Sequence, residues 1–151
     1  MTLHAEPARP HDLRGALDLL GRTELTEQDV AERWGHYFAV REDDGRVVGV
    51  AGLEIHGEDG LLRSVAVDAE YRGQGLAASL VEAAMERAKR LQIRAVYLLT
   101  TTARDYFARH GFADCPREEA PAAIRESWEF RTGCPATADF MKRAVAQAPR
   151  G

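Results

Sequence analysis

The sequence has few cysteines, no long apolar run and no excess of positive charge. Its two cysteines, Cys115 and Cys134, could pair, but in a reducing compartment we expect free thiols. No segment approaches the roughly 18 apolar residues needed to span a membrane, and the amino-terminal residues lack the basic and apolar regions of a signal peptide. These absences predict a cytoplasmic protein that has no membrane partner.

The charge pattern argues against binding to nucleic acid. The formal net charge is −4, and the basic residues are interspersed with acidic ones instead of forming a stripe. The 151 residues, 45% of them hydrophobic, suffice for one domain with a core and are too few for two. We therefore predict a single domain over residues 1–145 and a flexible tail over residues 146–151. The protein could form a homodimer.

Hydrophobic periodicity and turn residues predict alternating helices and strands. Pro10 suits the first turn of a helix that extends to about Leu20. Thr26 and Asp29 are spaced as a capping box that would open a second helix, and the Asp44-Gly45 pair indicates a hairpin. The predicted strands are residues 3–6, 36–41, 46–55, 61–67, 94–100 and 138–143.

The segment from Ser64 to Val81 has the pattern of a strand, a glycine turn and the start of a helix. Gly73 and Gly75 would let the backbone approach a ligand, and the first turn of the helix would direct its unpaired N–H groups at the same place. A phosphate or pyrophosphate is the expected occupant. The chain has neither the Gly-Lys-Ser/Thr ending of a P-loop nor the third glycine and later acidic residue of the dinucleotide fingerprint.

The helix after this turn carries an apolar stripe and is expected to cover the sheet. The stripe has spacings of three and four residues and includes Leu76, Leu80, Ala84, Ala88 and Leu91. Residues 94–100 follow the helix and should lie parallel to residues 61–67 through a right-handed crossover. Ligands of such units bind beyond the carboxyl ends of neighbouring strands.

The pattern Arg72-x-x-Gly75-x-Ala77 resembles the acetyl-CoA signature of the GCN5-related N-acetyltransferases, the GNAT superfamily. The resemblance spans about residues 36–144. It implies an α/β (α+β) fold, with a mixed sheet of about seven strands, a central V-shaped splay and four or five flanking helices. It also implies acetyl-CoA as cosubstrate, no metal, and direct transfer of acetyl to the primary amine of a small molecule.

The same resemblance assigns cofactor residues by position. One strand would contact the pantetheine arm through its backbone, and the helix N-terminus would receive the pyrophosphate. The implied cofactor-binding residues are Val65, Ala66, Val67, Arg72, Gly73, Gln74, Gly75, Leu76, Ala77, Ala78, Thr100 and Phe107.

Residues 103–112 resemble the family's short helix that ends in Gly-Phe, and Gly111 fits a helix end that needs a positive φ. In many members a tyrosine of this helix protonates the departing CoA thiolate. Counting back from Gly111, the tyrosine position holds Phe107 and the family's asparagine position holds Thr100. Tyr106 is offset by about 100° around the helix. It is a candidate general acid, and packing of its ring is the alternative.

A narrower resemblance, carried by residues 62–64, 97–103, 120–125 and 130–135, is to small acetyltransferases encoded with arsenic-resistance genes. Some relatives in the broad neighbourhood of that group acetylate the amino group of phosphorus- or arsenic-containing amino acids. By analogy, this implies a small zwitterionic amine as the acceptor.

Acetyl transfer to an amine needs a base for the amine and a donor for the tetrahedral oxyanion. The Val65 N–H is the positional candidate for the donor. Glu54 and His56 are candidates for the base, directly or through water, and the alternative is that they are solvated residues at a strand end. Arg63 and Ser64 would lie beside the thioester on alternate faces of their strand. Arg63 could grip an acceptor carboxylate or phosphinate, or it could be an ordinary surface arginine.

The segment 116–135 is longer than the hairpin usual at this point in the family, and we expect it to wall the acceptor site. Glu129, Arg131 and Cys134 are its candidate substrate-binding residues. Trp128 and Phe130 could instead be core or dimer-contact residues.

Three alternatives stay open. Because the family tyrosine is missing, the protein could be a non-catalytic acyl-CoA-binding sensor or regulatory subunit. Acetylation of protein N-termini or lysines would require an open groove, against which the segment 116–135 argues. Cys115 and Cys134 could hold a soft metal or arsenite.

Overall fold

The computed structural model describes residues 3–23, 25, 27, 29–133 and 137–146. The chain forms two compact units, each built from two stretches of sequence. The first unit comprises Met1–Glu54 and Arg63–Ala84, and the second comprises Ile55–Leu62 and Met85–Gly151.

The strands form one mixed sheet in the order β1-β2-β3-β4-β5-β7-β6. The ladder between β4 and β5 is parallel and pairs Asp59–Leu61 with Ala95–Tyr97, whereas β1/β2, β2/β3, β5/β7 and β6/β7 are antiparallel. A seven-stranded mixed sheet with flanking helices confirms the predicted fold class. The strands are β1 (Glu6–Pro7), β2 (Tyr37–Arg41), β3 (Val47–His56), β4 (Asp59–Val67), β5 (Ala95–Thr100), β6 (Ala113–Asp114) and β7 (Asp139–Ala144).

The α-helices are α1 (Leu13–Arg22), α2 (Leu76–Arg90), α3 (Arg104–Arg109) and α4 (Ala122–Arg125). A 3₁₀ turn at Pro10–Asp12 precedes α1, so the helix predicted from Pro10 is confirmed. Further 3₁₀ turns occupy Ala31–His36, Ala69–Tyr71 and Arg117–Glu119, and a π turn occupies Glu129–Gly133. No helix in the described ranges combines the length and the apolar character needed to cross a membrane.

Three local predictions differ from the structure. The first strand lies at Glu6–Pro7 and not at residues 3–6, because its pairing with β2 fixes where it forms. Leu91 was predicted to belong to the apolar stripe that covers the sheet, but it is exposed because α2 ends at Arg90. Asp29 does not open a helix: its φ is +70°, and its carboxylate accepts a hydrogen bond from Arg33 Nε. Thr26, the predicted cap, lies outside the described residues.

In the first unit, α1 packs against the sheet. Its buried Leu19 and Leu20 join Val50 and Ala66 in one apolar cluster. Beside this cluster, the Trp34 and Tyr37 rings stack with centroids 5.1 Å apart. The Tyr37 ring in turn covers Gly52, where a Cβ atom would lie 2.5 Å from Tyr37 Cζ. The absence of a side chain at Gly52 therefore makes room for the aromatic ring.

The second unit has its own apolar cluster around Tyr97 and Phe140. These two rings stack with centroids 5.4 Å apart, and Phe130 meets Phe140 edge-on at 5.4 Å. Ile124 of α4 is fully buried in the same cluster. Phe130 thus has the packing role that was one of its two predicted alternatives.

Candidate active site

The glycine turn before α2 leaves the N-terminus of the helix open. The first helical hydrogen bond runs from the Ser79 N–H to the Gly75 carbonyl, at 3.0 Å, so the N–H groups of residues 76–78 precede the ladder and point out of the helix end. Gly73 and Gly75 have φ values of +81° and +79°, and a Cβ at either would meet no heavy atom within 4 Å. No acidic residue lies in the first turn of α2. The turn therefore suits an anion.

Asp68 anchors the start of this turn and was missed by the sequence analysis. Its Oδ1 accepts a hydrogen bond from the Glu70 N–H at 3.0 Å, and its Oδ2 accepts from Arg22 Nη1 at 2.9 Å and from Arg46 Nη2 at 3.0 Å. The Glu70 N–H and then the Arg22 guanidinium hold the Asp68 pKa below its usual range, although burial opposes them. The sequence offered one signal for this role, because aspartate is a preferred N-cap residue and Asp68 directly precedes the helical turn Ala69–Tyr71.

β4 is irregular at Ser64, where φ is +59°. Ser64 Oγ lies 2.9 Å from the Tyr37 hydroxyl, and Arg63 Nη1 lies 3.8 Å from Asp29 Oδ2. Both side chains therefore contact the segment 29–37. The left-handed Ser64 interrupts the regular pleat on which the predicted alternation of faces depends, as a bulge does. The half-buried Val65 follows directly.

Glu54 and Arg63 form a buried ion pair. Arg63 Nη1 lies 2.6 Å from Glu54 Oε2, and the two side chains are 1% and 2% exposed. Arg33 Nε approaches the same Glu54 oxygen at 3.7 Å. Because both side chains are buried, Glu54 is not a solvated strand-end residue and Arg63 is not an ordinary surface arginine. The role of Glu54 as the base and that of Arg63 as an acceptor ligand stay predictions. His56 is half-buried.

The predicted residues of the second unit cluster around α3. Thr100 Oγ1 accepts a hydrogen bond from the Ala103 N–H at 3.0 Å. Phe107 is buried and packs edge-on against Phe112. The half-buried Tyr106 ring lies 4.5 Å from the His110 ring, and burial raises the pKa of its hydroxyl. Gly111 has the predicted positive φ, +90°. The contacts of Tyr106 support the packing alternative.

The segment 116–135 contains α4 and the π turn. Glu129 is buried and Arg131 is exposed, while Cys134 lies outside the described residues. Cys115 is a free thiol whose pKa is raised by burial. In the described ranges no group of three or more His, Cys, Asp or Glu side chains is arranged to hold a metal ion.

The candidate residues are thus divided between the two units. The first contains Glu54, Arg63, Ser64, Val65–Val67 and the turn 72–78. The second contains Thr100, Tyr106, Phe107, Glu129 and Arg131.

Comparison with known sequences identifies related proteins. The model of the acetyltransferase (GNAT) family matches residues 5–112. An amino-acid acetyltransferase from Aeromonas salmonicida is 30% identical over 138 residues, which are 85% of this chain and 31% of that protein. One from Pseudomonas putida is 32% identical over 128 residues, 80% of this chain and 30% of that protein. The chain spans about a third of the length of these relatives.

Solved structures share the fold. Rv2747 from Mycobacterium tuberculosis, in complex with CoA and NLQ, has a TM-score of 0.82 and 24% identity, covering 94% of this chain and 99% of that one. N-acetylglutamate synthase from Neisseria gonorrhoeae, complexed with coenzyme A and N-acetyl-glutamate, has a TM-score of 0.83 and 17% identity, covering 97% of this chain and 36% of that one.

Proposed function

Because this chain belongs to the acetyltransferase (GNAT) family, as its sequence motifs predict, we propose that it transfers an acetyl group from acetyl-CoA to the primary amine of a small, amino-acid-like molecule. The observation that carries this proposal is the open N-terminus of α2 behind Gly73 and Gly75. Family membership supports the predicted enzyme class over the sensor alternative.

The glycine turn fits the pyrophosphate of acetyl-CoA. The N–H groups of residues 76–78 would donate to phosphate oxygens, and the exposed Arg72 would add a positive charge. The backbone of Val65–Val67 would bind the pantetheine arm, as the family resemblance implies. Thr100 and Phe107 complete the proposed set of cofactor-binding residues.

The proposed reaction is a direct transfer that needs no protein nucleophile. The neutral amine attacks the thioester carbonyl, a C–N bond forms, and the Val65 N–H stabilises the oxyanion. The C–S bond then breaks and CoA leaves as a thiolate. Glu54 takes the amine proton, directly or through water, and the thiolate takes a proton from Tyr106 or from solvent. The products are CoA and an N-acetylated acceptor.

The acceptor class is supported by the relatives named amino-acid acetyltransferases. The narrower resemblance to acetyltransferases encoded with arsenic-resistance genes extends the proposal to arsenic- or phosphorus-containing amino acids. The substrate-binding candidates are Arg63, Ser64, Glu129, Arg131 and Cys134. A homodimer and a cytoplasmic location stay predictions.

The test is release of free thiol from acetyl-CoA at about pH 8, where more of the amine is neutral. The panel contains amino acids, their phosphinic and arsonic analogues, polyamines and peptide N-termini, and calorimetry measures acetyl-CoA binding in parallel. We expect release with one class of small amino acids. Tight binding without release from any amine would favour the sensor, and absence of binding would overturn the assignment of the glycine turn.

A further inference from the structure

Four charged side chains of the first unit form one cluster: Asp29, Arg33, Glu54 and Arg63. Arg63 Nη1 pairs with Glu54 Oε2 at 2.6 Å. Arg33 Nε lies 3.1 Å from Asp29 Oδ2 and 3.7 Å from Glu54 Oε2. We call this set the charge cluster.

The charge cluster is buried at one end and open at the other. The Arg63 and Glu54 side chains are 1% and 2% exposed, whereas those of Asp29 and Arg33 are 23% and 35% exposed. A molecule arriving from solvent therefore meets Arg33 as the accessible cation. Arg63, the arginine that the sequence predicts for gripping an acceptor, is almost fully buried.

The contacts of Arg33 orient its guanidinium group and leave donors for a ligand. In the described part of the chain the hydrogen bond from Arg33 to Asp29 is donated by Nε, and Nε is also the Arg33 nitrogen nearest to Glu54 Oε2. The two terminal nitrogens are therefore left to present a pair of parallel donors, the arrangement that binds a carboxylate in bidentate fashion. The left-handed backbone of Asp29, with a φ of +70°, places the carboxylate that holds Nε. Arg33 is thus preorganised to bind an anion.

The charge cluster is also close to the proposed point of transfer. Arg63 lies two residues before Val65, whose N–H would bind the oxyanion, and Glu54, the proposed base, belongs to the cluster itself. In its reactive form an amino-acid acceptor has a neutral amine and an anionic carboxylate. An amine placed beside Glu54 would have its carboxylate within reach of the neighbouring Arg33.

We infer that Arg33 binds the anionic group of the acceptor and that the enzyme therefore prefers amines carrying a carboxylate beside the amino group. This inference rests on the proposed acetyltransferase function. It assigns an acceptor subsite to a residue that the sequence analysis did not single out. The same donor pair would accept a phosphinate in place of a carboxylate.

The test compares acceptor pairs that differ only in the anionic group. Each amino acid of the panel is assayed beside its decarboxylated amine and, where one exists, its phosphinic analogue. For wild-type protein we expect kcat/KM to be at least about tenfold higher for the carboxylate or phosphinate member, equivalent to about 1.4 kcal/mol. Equal rates for the decarboxylated amines would overturn the inference.

The variant Arg33→Gln tests directly whether Arg33 binds the anionic group of the acceptor. We expect KM for the anionic acceptor to rise at least about tenfold, about 1.4 kcal/mol, while KM for the decarboxylated amine and the acetyl-CoA affinity stay unchanged. Arg33→Lys should recover part of the loss. The control Arg14→Gln removes the charge of an exposed arginine on α1. It should leave KM unchanged for both the anionic acceptor and the decarboxylated amine.

The outcomes separate the two proposals. If Arg33→Gln raises KM equally for both acceptor types, Arg33 only supports the local structure. If KM is unchanged for both, Arg33 has no role in binding. Either result overturns the inference while the acetyltransferase function stands. If wild-type protein releases thiol with no amine, the proposed function itself fails and the subsite fails with it.

Discussion

Arg63 and Glu54 lie nine residues apart in sequence and meet through a 2.6 Å hydrogen bond between buried side chains. Taking two charges out of water is costly, so the pair is stable only while both partners remain. The same pair contains the proposed base and a proposed acceptor ligand. Stability and function are therefore coupled at this point of the fold.

Removing one partner of this pair should destabilise the protein strongly. We expect Arg63→Met to lower the free energy of unfolding by about 3–5 kcal/mol, because Glu54 would keep a buried charge without its nearest cation. Urea unfolding monitored by circular dichroism measures the change. In the double variant Glu54→Leu/Arg63→Met much of the loss should be recovered, and additive losses would contradict the coupling.

Gly75→Asp should abolish acetyl-CoA binding in calorimetry, because it places a carboxylate where the pyrophosphate is proposed to lie. The control is Gly57→Asp, at the β3–β4 turn. Both glycines have a positive φ, and a Cβ at either would meet no heavy atom within 4 Å, so the strain and the added charge are matched. Retained affinity in Gly75→Asp would overturn the assignment of the turn.

Tyr106→Phe should lower kcat less than about tenfold, or about 1.4 kcal/mol of barrier. The physical reason is that the ring packs between Phe107 and His110, contacts that phenylalanine preserves. Steady-state thiol release with the best acceptor measures the change. A loss of about a thousandfold would instead identify Tyr106 as the general acid.

Asp68 should contribute stability that depends on pH. Its pKa is lower in the folded protein than in the unfolded chain, so its contribution is fully present above the unfolded value, about 3.9, and is lost as the pH falls through the folded value. The stability difference between wild type and Asp68→Asn should therefore be largest at neutral pH and shrink below about pH 4. Urea unfolding across that range tests it, and a constant difference would argue against the shift.

Gly52→Ala should destabilise the first unit by about 1–3 kcal/mol, because the added Cβ would overlap the Tyr37 ring. The matched control is Gly35→Ala, where a Cβ would meet nothing within 4 Å. Thermal unfolding of the two variants gives the comparison. Equal melting temperatures would mean that the Tyr37 ring moves aside at little cost.

Much of the fold could be predicted from neighbouring residues. The strands β2 to β5 and β7, the helices α1 and α2, the hairpin at Asp44-Gly45 and the parallel pairing of β4 with β5 agree with the structure. The glycine turn also has its expected backbone, since Gly73 and Gly75 have positive φ. These features are encoded within short segments, where periodicity and glycine placement act locally.

The charged part of the site could not be predicted in the same way. Asp29 fits a capping box by spacing, yet in the structure its carboxylate accepts from Arg33 and lies near Arg63. Ser64 fits a regular strand, yet it takes a left-handed conformation that turns its hydroxyl to Tyr37. In both cases a tertiary contact overrides the local preference.

The sequence by itself determined the family, the glycine turn and the positions of the main strands and helices, because each depends on residues close together in the chain. Only the tertiary structure decided which charges pair. Arg22 reaches Asp68 across 46 residues and Arg63 meets Glu54 across nine. Many arginines and acids could have paired in other ways, and packing selected these pairs by burying the carboxylates beside the guanidinium groups that offset their desolvation.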